Sequence, residues 1–342
     1  MLARLSSLAQ SAYLDLVRSL KDDVVGVLRG APTRVERNGR AYWYDSYRVG
    51  ADVRKAYIGE ESPELLARLE DQARLASARE DGRRHRARLI RILRAEGFLG
   101  VDAAAGSLLS AMQKAGVFRL GGVLVGTQAF RLYEGELGLR YSFDQTAQTN
   151  DLDVASFQRL SLALDDVVTR PLDAVLKDFA FDAAPSLEPG KVWRWRQTRS
   201  ELLVEFLTPS FEDEEGLRPL PALNVHAQAL HYLNYLIADP IQAALAYRNG
   251  ALVAIPRPER FAIHKLIVAD RRREGVESLK AAKDRAQAAF LIEALAEDRP
   301  DDLAEAYDDA LARGPRWRAR IAASLSRMPQ TAVRLARYDA SA

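Results

Sequence analysis

Three short features of the sequence could do chemistry together: Gly126-Thr127, Asp151-Leu152-Asp153, and Glu205 within ELLVEFL. In a strand, residues i and i+2 leave the same face. Asp151 and Asp153 would therefore present two carboxylates side by side, with Leu152 and Val154 facing the interior. In ELLVEFL, Leu202, Val204 and Phe206 share one face and Glu205 takes the other. If that strand lies beside the first, three carboxylates converge. Uncompensated, they repel one another and shift their pKa values. A divalent cation relieves this, and two cations ~3.5–4 Å apart can clamp the attacking and leaving oxygens of a phosphoryl displacement. The run LVGTQ supplies the complement. Glycine lets the backbone approach a ligand closely, the following helix N-terminus offers N–H groups to phosphate oxygens, and Thr127 adds a hydroxyl. Singly, a D-x-D reads as a solvated loop or edge and a Gly-Thr as a helix cap. The selective signal is their order: strand, Gly-Thr, helix, D-x-D strand, later acidic strand.

The elements that must position these groups follow from periodicity and punctuation. Leu2, Leu5, Leu8, Tyr13, Leu16 and Leu20 recur at helical spacing in residues 1–29, which Gly30 and Pro32 end. Residues 33–59 are rich in Tyr, Trp, Val and Arg with turn signals at Asn38-Gly39 and Gly50-Ala51, predicting a two- or three-stranded antiparallel meander. Ser62-Pro63-Glu64 opens a helical stretch over 62–97. A short helix is expected at 100–115, a strand running into a turn at 118–127, a helix at 128–138, a strand around DLDVA and helix over 157–178. The runs 191–197 and 201–207 predict a hairpin turning at Thr198-Arg199-Ser200. A helix near 226–237 and a strand at 251–255 follow. Residues 257–342 read as helical, interrupted at Pro300, Gly314-Pro315 and Pro329.

Composition bounds the possibilities. Lys plus Arg is 49 against 47 Asp plus Glu, so contact with a polyanion must come from a local patch, not from overall charge. The absence of cysteine excludes disulfides, thiolate catalysis and Cys-ligated metals, and 4 His make a His-rich site a poor expectation. Oxygen ligands, if a metal is bound, favour Mg²⁺ or Mn²⁺. No stretch approaches the ~18 consecutive apolar residues of a membrane span. Asp15 and Arg18 interrupt the N-terminal run, which reads as a mature helix and not a signal peptide. A cytoplasmic protein without membrane contact is expected.

With these residues in place, the sequence resembles the DNA-polymerase-β-type nucleotidyltransferase superfamily. It is more closely similar to a bacterial branch related to toxin–antitoxin and abortive-infection nucleotidyltransferases. LVGTQAFRLYEGELGLR, QTNDLDVA, VEFLTP and PERFAIHKLIVADRR carry the likeness across roughly residues 118–290, and YWYDSYRVGADVRKAYIG adds to it. Thr127 stands where the superfamily has serine and Glu205 where aspartate is usual; Gly135–Gln148 would be an inserted turn or hairpin. The resemblance implies an α+β fold: N-terminal helices with a small meander (1–115), a central mixed-sheet catalytic domain (116–255) and a helical C-terminal domain (256–342). It implies that Asp151, Asp153 and Glu205 hold Mg²⁺ or Mn²⁺. It also implies that Gly126, Thr127, Lys265 and Arg271 bind the nucleotide, and that an NMP passes from an NTP to a hydroxyl of RNA, tRNA or a protein with release of pyrophosphate. The alternative is a non-catalytic regulatory or antitoxin-like module on the same fold.

Several residues keep two readings. Lys265 and Arg272 share a helix face, as do His264 and Arg271. Lys283 and Asp284 fit structural ion pairs. Arg84, Arg88 and Arg91 in EDGRRHRARLIRILRAEG form either a solvated face or a phosphate or partner contact. Trp193 and Trp195, alternating with Arg194 and Arg196, either pack in the core or stack on a base, and Tyr42, Trp43, Tyr44 and Tyr47 near Arg40 and Arg48 allow the same pair of readings.

Overall fold

The computed structural model describes residues 2–26, 31–37, 39–49, 52–71, 79–141, 151–164, 166–198, 202–272 and 278–338. Helix α1 (Ser7–Gly26) opens the chain. Strands β1 (Ala31–Arg37), β2 (Arg40–Val49) and β3 (Asp52–Glu60) then form the expected antiparallel meander. Tyr44 packs edge-on to Tyr57 with ring centres 5.5 Å apart, so these aromatics hold the meander together. Helix α2 (Pro63–Glu70) starts where the cap signal lies: the Leu65 N–H donates to Ser62 Oγ at 3.1 Å. Helix α3 (Arg79–Ala95) follows, and its Leu89, Ile90 and Leu93 close against Tyr13, Leu16 and Leu20 of α1.

Helix α4 (Ala103–Ala115) is capped by Asp102, which accepts from the Ala105 N–H at 2.9 Å. The strands that carry the candidate chemistry come next: β4 (Val123–Val125), β5 (Leu152–Ala155), β6 (Phe181–Ala183), β7 (Arg194–Gln197), β8 (Leu203–Pro209), β9 (Leu217–Leu220) and β10 (Val225–Leu230). They assemble in the order β4-β5-β8-β10-β9, with β7 attached to β8 and β6 to β7. β4 runs antiparallel to β5, while β5 and β10 both run parallel to β8. Parallel and antiparallel pairings in one sheet, with helices around it, make the class α+β. Leu152, Val154, Val204 and Phe206 are each 0–2% exposed. Burying such side chains stabilises the fold by about 1.5–3 kcal/mol apiece, and a one-residue slip would turn all of them outward. Core packing therefore sets the register that places the acids.

Helix α5 (Gly126–Leu137) leaves the end of β4; α6 (Gln158–Ala163) and α7 (Leu172–Lys177) lie in the crossover from β5. After the short α8 (Leu233–Leu236), strands β11 (Ile241–Leu245) and β12 (Ala251–Ile255) form a separate hairpin against β4 and α1, where the Ala244 N–H donates to Tyr13 Oη at 3.2 Å. The chain then becomes helical: α9 (Pro258–Arg271), α10 (Ser278–Asp298), α11 (Pro300–Ala312), α12 (Pro315–Leu325) and α13 (Pro329–Leu335). Pro300, Pro315 and Pro329 each begin a helix, where the missing N–H costs no hydrogen bond. Helix α9 is the hub, packed against α10, α11 and α12. Among the described residues no helix is long and apolar enough to cross a membrane.

Some expectations are corrected. Residues 225–230 form a strand, not the start of a helix: VHAQAL alternates inward and outward, and Val225, Ala227 and Ala229 fill the core. The helix near 226–237 shrinks to Leu233–Leu236. Residues 157–178 form two short helices, because Pro171 begins a new one. Only Val123–Val125 of 118–127 is strand. The 191–207 hairpin forms through β7 and β8, but Arg199 and Ser200 of its turn lie outside the described residues, as does 142–148 of the expected insertion and 72–78 of the 62–97 helix.

Candidate functional site

Strand pairing places the acidic residues in a row. Val125 is opposite Asp153, Asp153 is opposite Glu205, and Glu205 is opposite Arg194. Asp151 sits two residues before Asp153 on the same face, and its Oδ1 accepts from the Leu203 N–H at 3.2 Å, which ties its side chain to the start of β8. The carboxylates feel one another. Burial pushes the Asp153 carboxyl up to about 7, and repulsion from Glu205 and Asp151 adds to this, while Lys265 and Arg272 pull in the opposite direction. Asp153 keeps some solvent access at the residue level, yet its carboxyl is ringed by protein. Glu205 is raised as well, first by burial and then by Asp151, against the pull of Arg194, Lys280 and Arg272.

The turn into α5 abuts this row. Gly126 has φ +68°, in the left-handed region, and a Cβ there would collide with Asp153 Oδ2. Glycine is thus required twice, by conformation and by the carboxylate against it. The residue before the helix, Val125, makes no side-chain cap, so the first N–H groups of α5 are left uncapped by it. Thr127 is buried, and Lys283 of α10 donates to its Oγ1 at 3.0 Å. Burial lowers the Lys283 amine to about 8, Lys265 lowers it further, and Asp284 opposes.

The cations expected from the sequence take other places. Lys265 is buried, and its ammonium is held by Asp284 at 2.5 Å. Arg272 binds the second oxygen of Asp284 at 2.9 Å. Burial would raise Asp284, but Lys265 and Arg272 draw its carboxyl below the ordinary value. Arg271 bonds Glu215 at 3.0 and 3.2 Å and lies over the Tyr232 ring. Arg272, its neighbour, is the one whose charge reaches Asp153 and Glu205. His264 is buried, and burial followed by Lys265 drives its imidazole down to about 3, so it stays neutral at neutral pH.

Sequence reasoning missed Lys283 and Arg194 as members of the site. The sequence sets Lys283 with Asp284 among structural ion pairs; it is Lys265 of α9 that pairs with Asp284, the residue next to Lys283 on α10. Arg194 was legible only as one side of the Trp–Arg alternation. Trp195 is buried edge-on to Phe206 at 5.4 Å, which bears out the core reading, and this leaves Arg194 on the acid face. The Arg194 guanidinium lies 5.2 Å over Trp193, with its Nε buried and lacking a hydrogen-bond partner among the described residues.

A family model described as nucleotidyltransferase matches residues 103–312, more than half of the chain. The chain belongs to this nucleotidyltransferase family. The match begins at α4 and runs through the sheet, the Gly126-Thr127 turn, the acid row and α9–α11. A second model, described as a domain of unknown function, matches residues 7–68, which comprise α1, the meander and most of α2. No curated protein and no solved structure matches the chain. The family supports nucleotidyl transfer and a nucleotide substrate.

The donor set suits a hard divalent cation: oxygen ligands, with Asp151 repelling Asp153 and Glu205, and Glu205 repelling Asp153. As they stand, the acids are a row and not a closed cage; among the described residues no group of three His, Cys, Asp or Glu side chains is arranged to hold a metal ion.

Proposed function

We propose that this nucleotidyltransferase is of the polymerase-β type, working with Mg²⁺ or Mn²⁺ to transfer an NMP from an NTP to a hydroxyl of RNA, tRNA or a protein. The observation that carries the reading is the register Val125–Asp153–Glu205 with Gly126 packed on the Asp153 carboxylate. Asp151, Asp153 and Glu205 would hold the cation, which when bound supplies charge neutralisation at the triphosphate and polarises its oxygens. The Gly126-Thr127 turn and Lys283 would hold the β- and γ-phosphates; Lys265 supports them by fixing Asp284, which packs α10 against α9. The acceptor hydroxyl attacks the α-phosphorus in line: the oxygen–phosphorus bond forms as the bond to pyrophosphate breaks. Glu205 takes the hydroxyl proton as general base. Positioning and charge stabilisation provide most of the rate in such a transfer. The three-part division at 115/116 and 255/256, a cytoplasmic setting and a role related to toxin–antitoxin systems belong to the same proposal.

The test is transfer of label from each of the four α-³²P-NTPs into whole-cell lysate and purified tRNA, with Mg²⁺ or Mn²⁺. Asp151→Ala/Asp153→Ala is the control. Incorporation that the control abolishes supports the enzyme. No incorporation from any NTP, together with unchanged biological activity in Asp151→Asn and Asp153→Asn, would establish the non-catalytic module instead.

A further inference from the structure

The basic 80–97 stretch and the aromatic meander take no part in the proposed chemistry, yet the fold brings them together. Arg83 and Arg86 of α3 and Tyr47 and Tyr57 of the meander line one cleft of about 840 Å³, closed on its other side by α4 and the turn between β11 and β12. Its volume falls in the upper part of the range of small-molecule sites, about 300–1,000 Å³. None of the acid row and neither residue of the Gly126-Thr127 turn lines it.

The lining is electropositive in a chain that is close to neutral overall. Arg83, Arg86, Lys114, Arg119 and Arg248 face it, with Asp45 in the lining and Asp166, paired with Arg119, as the opposing carboxylates. Such a local excess concentrates anions. Arg83 and Arg86 line the cleft, while Arg84, Arg88 and Arg91, the face that periodicity suggests, are exposed.

Arg119 forms part of the cleft wall. Its Nη1 donates to the Tyr57 carbonyl at 3.1 Å and pairs with Asp166, but its Nη2 is buried with no hydrogen-bond partner among the described residues. That nitrogen is enclosed by protein, so Arg119 contributes its charge to the cleft and not a direct hydrogen bond. Gly116, in the left-handed region at φ +96°, keeps the space beside it: a Cβ there would lie 3.0 Å from that nitrogen. Arg86 is almost fully buried, and its Nε donates to the Asn249 carbonyl at 3.1 Å, which fixes α3 to the β11–β12 turn and shapes the cleft before any ligand enters. At the mouth, Lys114 and Arg248 are exposed. The Arg248 guanidinium lies 5.2 Å over the Tyr247 ring, whose hydroxyl is 2.6 Å from Ser107 Oγ. A planar cation stacked on an anchored ring is a surface on which a base can lie.

We propose that this cleft is a second binding site, separate from the acid row, for a phosphate-bearing nucleotide unit: either a free nucleotide or a residue of single-stranded RNA. Phosphate oxygens would accept from Lys114 and Arg248, within the field of Arg83, Arg86 and Arg119, and the base would stack at Tyr247 and Arg248. The proposal does not depend on the chemistry assigned to Asp151, Asp153 and Glu205.

The test uses full-length protein in EDTA, so that metal-supported binding at the acid row does not contribute. Fluorescence polarisation follows two probes, a labelled single-stranded RNA octamer and a fluorescent ATP analogue, on wild type and on Lys114→Gln/Arg248→Gln. Both residues are exposed, so the fold should survive, as far-UV circular dichroism will check. The expected result is binding by wild type that weakens at least tenfold in the variant. If the loss concerns both probes, the ligand is the free nucleotide; if only the octamer binds and is lost, it is an RNA strand, with a steep salt dependence. Photocrosslinking with 8-azido-ATP or a 4-thiouridine octamer should mark peptides within 107–119 or 247–252 and decides the matter should the variant not fold. Equal affinity of wild type and the folded variant, no binding of either probe by wild type, or crosslinks confined to other peptides would overturn the proposal.

Discussion

Replacing Asp153 with Asn should make the metal-free protein more stable at alkaline pH, because the native fold holds this carboxylate against burial and two like charges. The sign follows from linkage. The folded value, about 7, lies above the ordinary 3.8. The folded state therefore binds the proton more tightly, and the stability that the protonated group contributes is complete below the unfolded value and lost as pH rises through about 7. At about 1.4 kcal/mol per pH unit, the gap sets a ceiling of about 4 kcal/mol. The solvent access that Asp153 retains brings the expectation to roughly 2 kcal/mol. Asn cannot ionise and escapes this loss. Urea denaturation, followed by tryptophan fluorescence with the buried Trp195 of β7 in the same sheet as a reporter, should give a midpoint for Asp153→Asn above wild type at pH 8. The gap should close as pH falls toward 4. Saturating Mg²⁺ should raise the wild-type midpoint at pH 8 and leave that of the variant little changed. If Asp153→Asn is no more stable than wild type at pH 8, or if its advantage is the same at pH 4, the electrostatic reading of the acid row is wrong.

Gly126→Ala should reduce NMP transfer by at least about 100-fold, since the new Cβ displaces a carboxylate that positions the reacting groups; it should also cost about 1–2 kcal/mol of stability from the left-handed φ, and single-turnover rates with thermal melts would measure both. Asp284→Asn strands the buried Lys265 ammonium and should destabilise the protein by about 3–5 kcal/mol in urea titration. Lys265→Met added to it should recover part of that loss. Lys283→Met should raise the KM for NTP more than it lowers kcat. In wild type the nucleotide affinity should fall as pH rises through about 8, where the Lys283 amine loses its proton; an unchanged KM in the variant would remove Lys283 from the phosphate site.

Much of the site was legible because it rests on local rules. Alternation in DLDVA and ELLVEFL put the acids on one side and Leu152, Val154, Val204 and Phe206 on the other, and the structure buries those four. The glycine that opens α5, Gly126, was readable as a position needing unusual backbone freedom. The 225–230 strand was not readable in the same way: a short run with small residues is ambiguous until it is seen paired between β9 and β8. The choice between Lys265 and Lys283 was equally hidden. Both lie on helices, and only the packing of α10 on α9 decides which amine is buried against Asp284 and which reaches Thr127.

What the amino-acid order determined by itself was which side chains could share a face, because strand alternation and turn chemistry act over a few residues. Only the tertiary structure decided that Asp153 stands opposite Glu205, that Arg194 extends the row, and that the basic helix meets the meander across a cleft. Those juxtapositions depend on strand register and helix packing, which are set by burying apolar surface from distant parts of the chain, and no local pattern specifies them.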